Sequence, residues 1–357
     1  MLRSLDSAIS GMKANQEKMD VIGNNIANSS TTAFKSGSVT FSNMLSQSVK
    51  NASASTINSG GINPAQVGLG TQVAAINTNE TQGTLTSTGS NLDVAVSGEG
   101  YFMVGKGKAI SDPTGATGIK VDSKATHIVK DGDNIANMDI MYTRDGSFSR
   151  DESGNLVTAD GNRVLGYSVQ AKAADGTIIP GESIAADGNK KEIVNKVDTT
   201  NGVIATDTAL VTLKIPDSVV TSAAGVTPVV TLRITFYSIS KDGLITGTLE
   251  NGTTSALGQI AMASFSNPSG LTSLGNNAYH SSSNSGAAII RSGEGVAALT
   301  DNSKGYGDMT PGELESSNVD LASEFTNMIV TSRAFQANGK VITTGDEILQ
   351  SVLALIR

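Results

Sequence analysis

The segment Leu321-Ala-Ser-Glu-Phe325-Thr-Asn-Met328-Ile-Val-Thr-Ser-Arg-Ala-Phe335-Gln-Ala-Asn-Gly-Lys-Val-Ile342 opens a run in which apolar residues return every seventh position. Leu321, Met328, Phe335, Ile342, Leu349 and Ile356 keep that spacing without a miss, with Phe325 one turn after the first of them. Ala334, Val341, Ile348 and Leu355 widen the stripe on one flank. A seven-residue recurrence predicts a helix with a narrow apolar seam. Ser317, followed three residues later by Asp320, predicts a capping-box start just before it. The other end of the chain repeats the pattern. Leu5, Met12, Met19 and Ile26 form one row, and Leu2 and Ile9 begin a second that Gln16 and Gly23 interrupt. Two helices at opposite ends, each with a narrow seam, invite pairing with each other. The plainer alternative is that each packs separately on a globular body.

Between the helices the pattern changes. Residues 43–63 are rich in Ser, Asn, Gly and Ala and predict a weakly hydrophobic tether. Beyond them, Leu92-Asp93-Val94-Ala95-Val96 alternates, as does Val230-Thr231-Leu232-Arg233-Ile234-Thr235-Phe236-Tyr237, which predicts strands. Asp131-Gly132, Asp145-Gly146, Asp160-Gly161, Asp175-Gly176, Asn201-Gly202, Asp242-Gly243 and Asn251-Gly252 suit tight hairpins, because both central turn residues can take positive φ. Residues 171–229 are more polar and less patterned, as an inserted outer domain would be. The expected fold is mainly β with α-helical coiled-coil termini. Its parts are 1–42 as N-terminal helix and turn, 43–70 as linker, 71–170 with 236–317 as a discontinuous β-rich middle domain, 171–235 as an inserted outer β domain, and 318–357 as the C-terminal coiled-coil helix.

Composition narrows the chemistry. The chain has 357 residues, no Cys, no Trp, 4% aromatics and a formal charge of -8. Without Cys there is no disulfide, thiolate nucleophile or sulfur-bound zinc. The acidic balance argues against nucleic-acid binding, and no apolar run approaches the roughly 18 residues of a membrane span. The stretch from Gly100 to Gly107 nearly spells a phosphate-binding loop, but Gly107 stands where Ser or Thr should hold magnesium, and its residues are strand formers. His127 and His280 are the only histidines and have no motif around them. No Gly-x-Ser-x-Gly elbow occurs. The lysines from Lys106 to Lys130 are interrupted by acids and suit a solvated loop. No catalytic, cofactor-binding or metal residue is nominated, and no cofactor is expected.

One further set of residues carries a resemblance. Asn24-Asn25-Ile26-Ala27-Asn28-Ser-Ser-Thr31-Thr32-Ala33-Phe34-Lys35 resembles the signature shared by flagellar rod and hook proteins. That family usually has Gly where this chain has Ala33; if the position needs positive φ, Ala costs about 1 kcal/mol there. Residues 60–70, Thr81 to Leu85, Thr88 to Val96, Tyr142 to Phe148 and 156–167 are similar to successive family segments. Leu314 to Leu321 and Arg333-Ala334-Phe335-Gln336-Ala337-Asn338 are similar to the C-terminal signature. Residues 242–271 look like the return of a hook protein into its inner β-domain, and 105–141 is longer than the family usually carries.

The resemblance implies a structural, non-enzymatic subunit of a tubular polymer, the hook being favoured and the distal rod the alternative. It implies terminal helices forming an inner layer of that tube and ordering on assembly, because helices this short are marginal alone. The expected assembly interface is Leu2, Leu5, Ile9, Met12, Met19, Ile26, Asn24, Asn25, Asn28, Phe34, Leu321, Phe325, Met328, Phe335, Ile342, Leu349 and Ile356. Implied partners are many copies of the same chain, the distal rod protein, the hook cap, the hook–filament junction protein, the hook-length ruler and the flagellar type III export apparatus. The last fits an N-terminus without a secretory signal and implies an extracellular flagellar location. Neither nucleic acid nor membrane insertion is expected. With no Cys, covalent crosslinking through a thiol is closed to it.

Overall fold

A computed structural model describes residues 2–55, 60–110, 119–120, 138–172, 178–179, 194–199, 203–205, 209–221, 231–291 and 308–355. It is mostly β, with one long helix near each end, and divides into two compact units. The first holds residues 1–81 with 317–357 and the second holds 82–316.

In the first unit, helix α1 (Leu2–Ala27) leads into strand β1 (Gly37–Asn43), and the chain then makes an extended hairpin. Strands β2 (Ser46–Lys50) and β3 (Ala65–Gly68) pair antiparallel, and β1 pairs antiparallel with β4 (Thr71–Thr78). Within the stretch expected to be a tether, residues 46–50 are therefore paired backbone, and Ser53 and Ile62 form a further bridge. The side chains of β2 and β3 are exposed, which is why no hydrophobic pattern marked them, while the ladder satisfies their main-chain groups. Residues 71–81 also fall with the helices rather than with the middle domain, because β4 has β1 as its partner.

Helix α2 (Leu321–Leu355) closes this unit. Its N-cap is Asp320, not Ser317. Asp320 Oδ1 accepts from the Ala322 amide at 3.0 Å and lies at 3.5 Å from that of Ser323, while Ser317 Oγ accepts only the Val319 amide. A carboxylate cap also complements the helix dipole. At the end of α1, Asn28 Nδ2 donates to the Asn24 carbonyl at 3.0 Å and covers one of the orphan acceptors of the last turn.

The second unit is built around strand Tyr101–Lys106. One edge pairs along its length with Asp139–Thr143, and further pairings go to Met262–Ser264 and to Arg163–Tyr167. Its continuous apolar run follows from burial on both faces. Phe102 and Val104 enter one core with Val94, Phe148, Ile245, Ile260 and Met309. Tyr101 and Met103 enter a second core with Ile119, Tyr142, Leu165, Tyr167 and Phe265. The near-miss phosphate loop is thus a central strand.

Three differences from the sequence reading are informative. Gly161, Gly243 and Gly252 have positive φ, but the Asp or Asn before each does not. Gly243 donates to the Ser240 carbonyl and Ser240 to that of Leu244, and the other two turns repeat this arrangement. These are three-residue loops with glycine alone at the left-handed position. Among the described residues, the turn with two left-handed central residues is Asn276-Asn277, where φ is 52° and 56°. The Asp131, Asp175 and Asn201 turns lie outside the described residues.

Residues 209–220 are the second difference. They belong to the body rather than to a separate outer domain: Thr212 pairs with Leu165, Leu210 is in the second core, and Leu213 and Ile215 are in the first. A strand buried on both faces shows no alternation, which hid it inside a polar stretch. Most of 105–141 and much of 171–235 lie outside the described residues.

The third difference is a buried ion pair. Arg144 Nε meets Glu315 Oε2 at 3.0 Å, and Arg144 Nη2 donates to the carbonyls of Val96 and Gly98. Glu315 Oε1 accepts from the Gly83 amide at 2.9 Å. The pair ties the strand Glu313–Glu315 to the body.

Candidate assembly surface of the terminal helices

In the first unit, α1 and α2 pack against each other, and α1 also contacts β1 and β4. Their direction follows from three contacts. Leu5 lies beside Gly345, Gly11 beside Asn338, and the Asn25 amide donates to Glu324 Oε1 at 3.1 Å. The helices are antiparallel. A Cβ on Gly11 would stand 2.7 Å from Asn338 Nδ2, and one on Gly345 would stand 2.9 Å from Leu5 Cδ2. The two glycines therefore let the helices approach closely.

The row of α2 nearest α1 combines two sets of residues. Met328, Phe335 and Ile342, which the heptad marked, are half-buried. Glu324, Thr331, Asn338 and Gly345 share their side at the same seven-residue spacing, and Thr331 is the helix's only buried residue among those described. On α1 the buried positions are Ala8, Gly11, Ala14, Ile22 and Asn25. Search by hydrophobicity misses polar and small residues; search for the period alone would have found 324, 331, 338 and 345.

The other expected interface residues fall as follows. Leu5, Met12, Met19, Ile26, Asn28 and Phe34 are half-buried, Ile9 and Asn24 are exposed, and so are Leu321, Phe325 and Leu349. The Leu2 side chain and Ile356 lie outside what is described. Asn25 is 2% exposed and works inside the unit. It donates to the Gly37 carbonyl and accepts from the Gly37 amide, each at 2.9 Å, joining the end of α1 to the start of β1. Asn318 plays the matching part before α2. Its Oδ1 accepts from the Ser36 amide at 2.8 Å, and its Nδ2 donates to the Asn79 and Thr81 carbonyls. Lys35 is buried, and its Nζ donates to the Thr81 carbonyl at 2.9 Å.

What remains uncovered is apolar. Of the 21 exposed large hydrophobic residues among those described, 19 belong to this unit, leaving only Phe236 and Leu274 in the body. They include Ile329, Val330, Val341, Ile348, Val352, Leu353 and Leu355 on α2, and Leu45, Val49 and Val67 on the hairpin. An open groove of about 400 Å³ runs beside α1, lined by Ile9, Ala14, Met44, Leu69 and Val73 together with Asp6, Lys13, Glu17 and uncharged polar residues. Apolar exposure on this scale marks a surface that another molecule covers. Among the described residues no cluster of three or more His, Asp or Glu is placed to hold a metal, and no helix is long and apolar enough to cross a membrane. His280 is exposed, with Nδ1 at 2.9 Å from the Ser281 carbonyl, and His127 lies outside the described residues.

Helical ends that leave apolar side chains uncovered, on a chain whose β body closes its own cores, define a structural subunit of the assembling kind. Comparison with known proteins makes this specific. Residues 5–35 match the family described as flagella basal body rod protein, residues 127–247 the flagellar hook protein FlgE/F/G D1 domain, and residues 310–355 the flagellar basal body rod FlgEFG protein C-terminal family. The Bacillus subtilis flagellar basal-body rod protein FlgG is 37% identical over 100% of both chains. The Borreliella burgdorferi flagellar hook protein FlgE is 31% identical over 99% of this chain and 100% of its own, and that of Salmonella typhimurium is 28% identical with the same coverage. The chain belongs to the family of flagellar hook and rod proteins.

Proposed function

We propose that this chain is the repeating subunit of the flagellar hook, the flexible tube that carries torque from rod to filament. The observation that carries the proposal is the concentration of exposed apolar side chains on the unit of terminal helices. A monomer gains nothing from that surface, whereas a polymer buries it at about 25 cal/mol per Å². In this reading the helices form the inner layer of the tube, as coiled-coil-like seams shared between copies, and are stabilised by assembly. The interface comprises the exposed members of the expected set together with Ile329, Val341, Ile348, Val352, Leu353 and Leu355. The part of 171–235 that stands outside the two main cores, around strands Val169–Lys172 and Val203–Ala205, is the candidate outer elaboration. The expected neighbours are further copies, the distal rod, the hook cap, the junction protein, the length ruler and the export apparatus, at an extracellular flagellar location. No catalytic role is assigned.

A second reading, the distal rod subunit, has one observation in its favour. The Borreliella hook relative aligns over 454 positions against 357 residues here, so it carries segments this chain lacks, whereas the Bacillus rod relative aligns over 357. Salt-induced polymerisation followed by negative-stain electron microscopy separates the two. Curved tubes from the full chain, and none from a chain lacking residues 1–35 and 318–357, are expected for the hook. Straight, rigid rods would favour the second reading. Polymer from the truncated chain would remove the helices as the driver.

A further inference from the structure

The α1-facing row of α2 does not stop where α1 does. With Leu5 beside Gly345, the first turn of α1 lies level with residues near 347, and residues 348–355 run on for about 12 Å at the usual helical rise. The row continues there as Leu349 and Val352, with Ile348, Leu353 and Leu355 alongside. All eight residues of this overhang are exposed, Leu353 at 69% and Leu355 at 90%, and none is charged. A seam that α1 covers in its first part thus ends in an uncovered apolar tip.

The same unit carries a receptor of matching character. The groove beside α1 is lined by apolar Ile9, Ala14, Met44, Leu69 and Val73 together with charged Asp6, Lys13 and Glu17 and three uncharged polar residues. Apolar side chains mixed with polar and charged ones are the composition of protein–protein interfaces. Tip and groove lie on different surfaces of one chain. A contact between them is therefore heterologous and leaves one free groove at one end of a pair and one free tip at the other, so further copies can add. A tip-to-tip pairing would be isologous and would stop at two.

We propose that the 348–355 tip of one copy seats in the groove at Ile9, Met44 and Leu69 of a second copy. This names the surfaces by which the chain would polymerise and rests on the assembly reading above. The chain contains no cysteine, so disulfide mapping has no background. Ile9→Cys and Leu353→Cys, carried on chains tagged to differ in size, are mixed and oxidised with diamide. Within one copy these positions are roughly 20 Å apart along the helix pair, beyond disulfide reach, so any product links two copies. The expected result is a mixed-tag dimer, and from the double variant a ladder of oligomers. Absence of the mixed product overturns the docking, whether or not wild-type chains polymerise. Self-dimers of Leu353→Cys without mixed product overturn it in favour of tip-to-tip pairing. Failure of the wild-type chain to form any polymer counts instead against the assembly reading, with the mixed disulfide still deciding the docking. As a second measure, Leu353→Ser should raise the concentration needed for polymer at least about tenfold with monomer helicity unchanged. An unaltered threshold overturns the proposal.

Discussion

Ala33 holds φ at 56° while its methyl group is buried. A left-handed conformation costs an L-residue roughly 1–2 kcal/mol, and a β-branched side chain there is worse still. Ala33→Val should therefore destabilise the first unit by about 2 kcal/mol or more. Ala33→Gly should change it little, since relief of about 1 kcal/mol is offset by a lost buried methyl of about 0.8 kcal/mol. Urea unfolding of the monomer checks both, and a tolerated valine would show that the turn relaxes away from positive φ. The sequence raised this position by comparison with a family glycine; only the backbone shows that the left-handed turn is kept with alanine in it.

The Arg144–Glu315 pair is the other decisive pair of residues. With side chains 4% and 0% exposed, neither partner can regain water if the other is lost. Glu315→Leu should cost about 3–5 kcal/mol by stranding the guanidinium, and adding Arg144→Met should recover much of that loss. Denaturant unfolding of the single and double variants checks this; equal losses in both would show that packing, not charge, is what matters at the site. Nothing in the spacing of Arg144 and Glu315, 171 positions apart, could have joined them.

At the scale of elements, the helix pair depends on small residues more than on its marked apolar row. Gly11→Ala should be tolerated, because the Asn338 amide it meets is the far end of a side chain and alanine favours the helix by about 1 kcal/mol. Gly11→Leu should push the helices apart and cost about 1–3 kcal/mol. Far-UV circular dichroism melting of the two variants checks this, and leucine behaving like alanine would mean the close approach is dispensable. Here the heptads were legible and half of their meaning was not. Met328, Phe335 and Ile342 are half-buried on the α1 side, while Leu321 and Leu349 of the same row, and Phe325, are exposed. Period alone cannot say how much of a row finds its partner within the chain. The hairpin of β2 and β3 was not legible, because a ladder of main-chain hydrogen bonds with exposed side chains leaves no hydrophobic trace.

At the scale of the whole chain, the two units predict two unfolding events. An isolated 82–316 fragment, which contains both large cores, should keep its β circular dichroism and unfold at the same midpoint as the later transition of the full chain. Calorimetry of fragment and full chain checks this. A single shared transition would show that the body needs the helices in order to fold.

The sequence by itself determined that this chain has helices at both ends of a β-rich middle, that it resembles flagellar rod and hook proteins, and that the Asn-rich turn after the first helix matters. These follow from local period, turn chemistry and motif, each contained within a short stretch. Tertiary structure alone decided that Asn25 joins three elements, that residues 209–220 belong to the body's cores, that β2 and β3 pair within the expected linker, and which apolar residues the monomer leaves uncovered. Burial and pairing depend on what lies opposite in space, and a linear pattern shows only that a surface exists, not which molecule covers it.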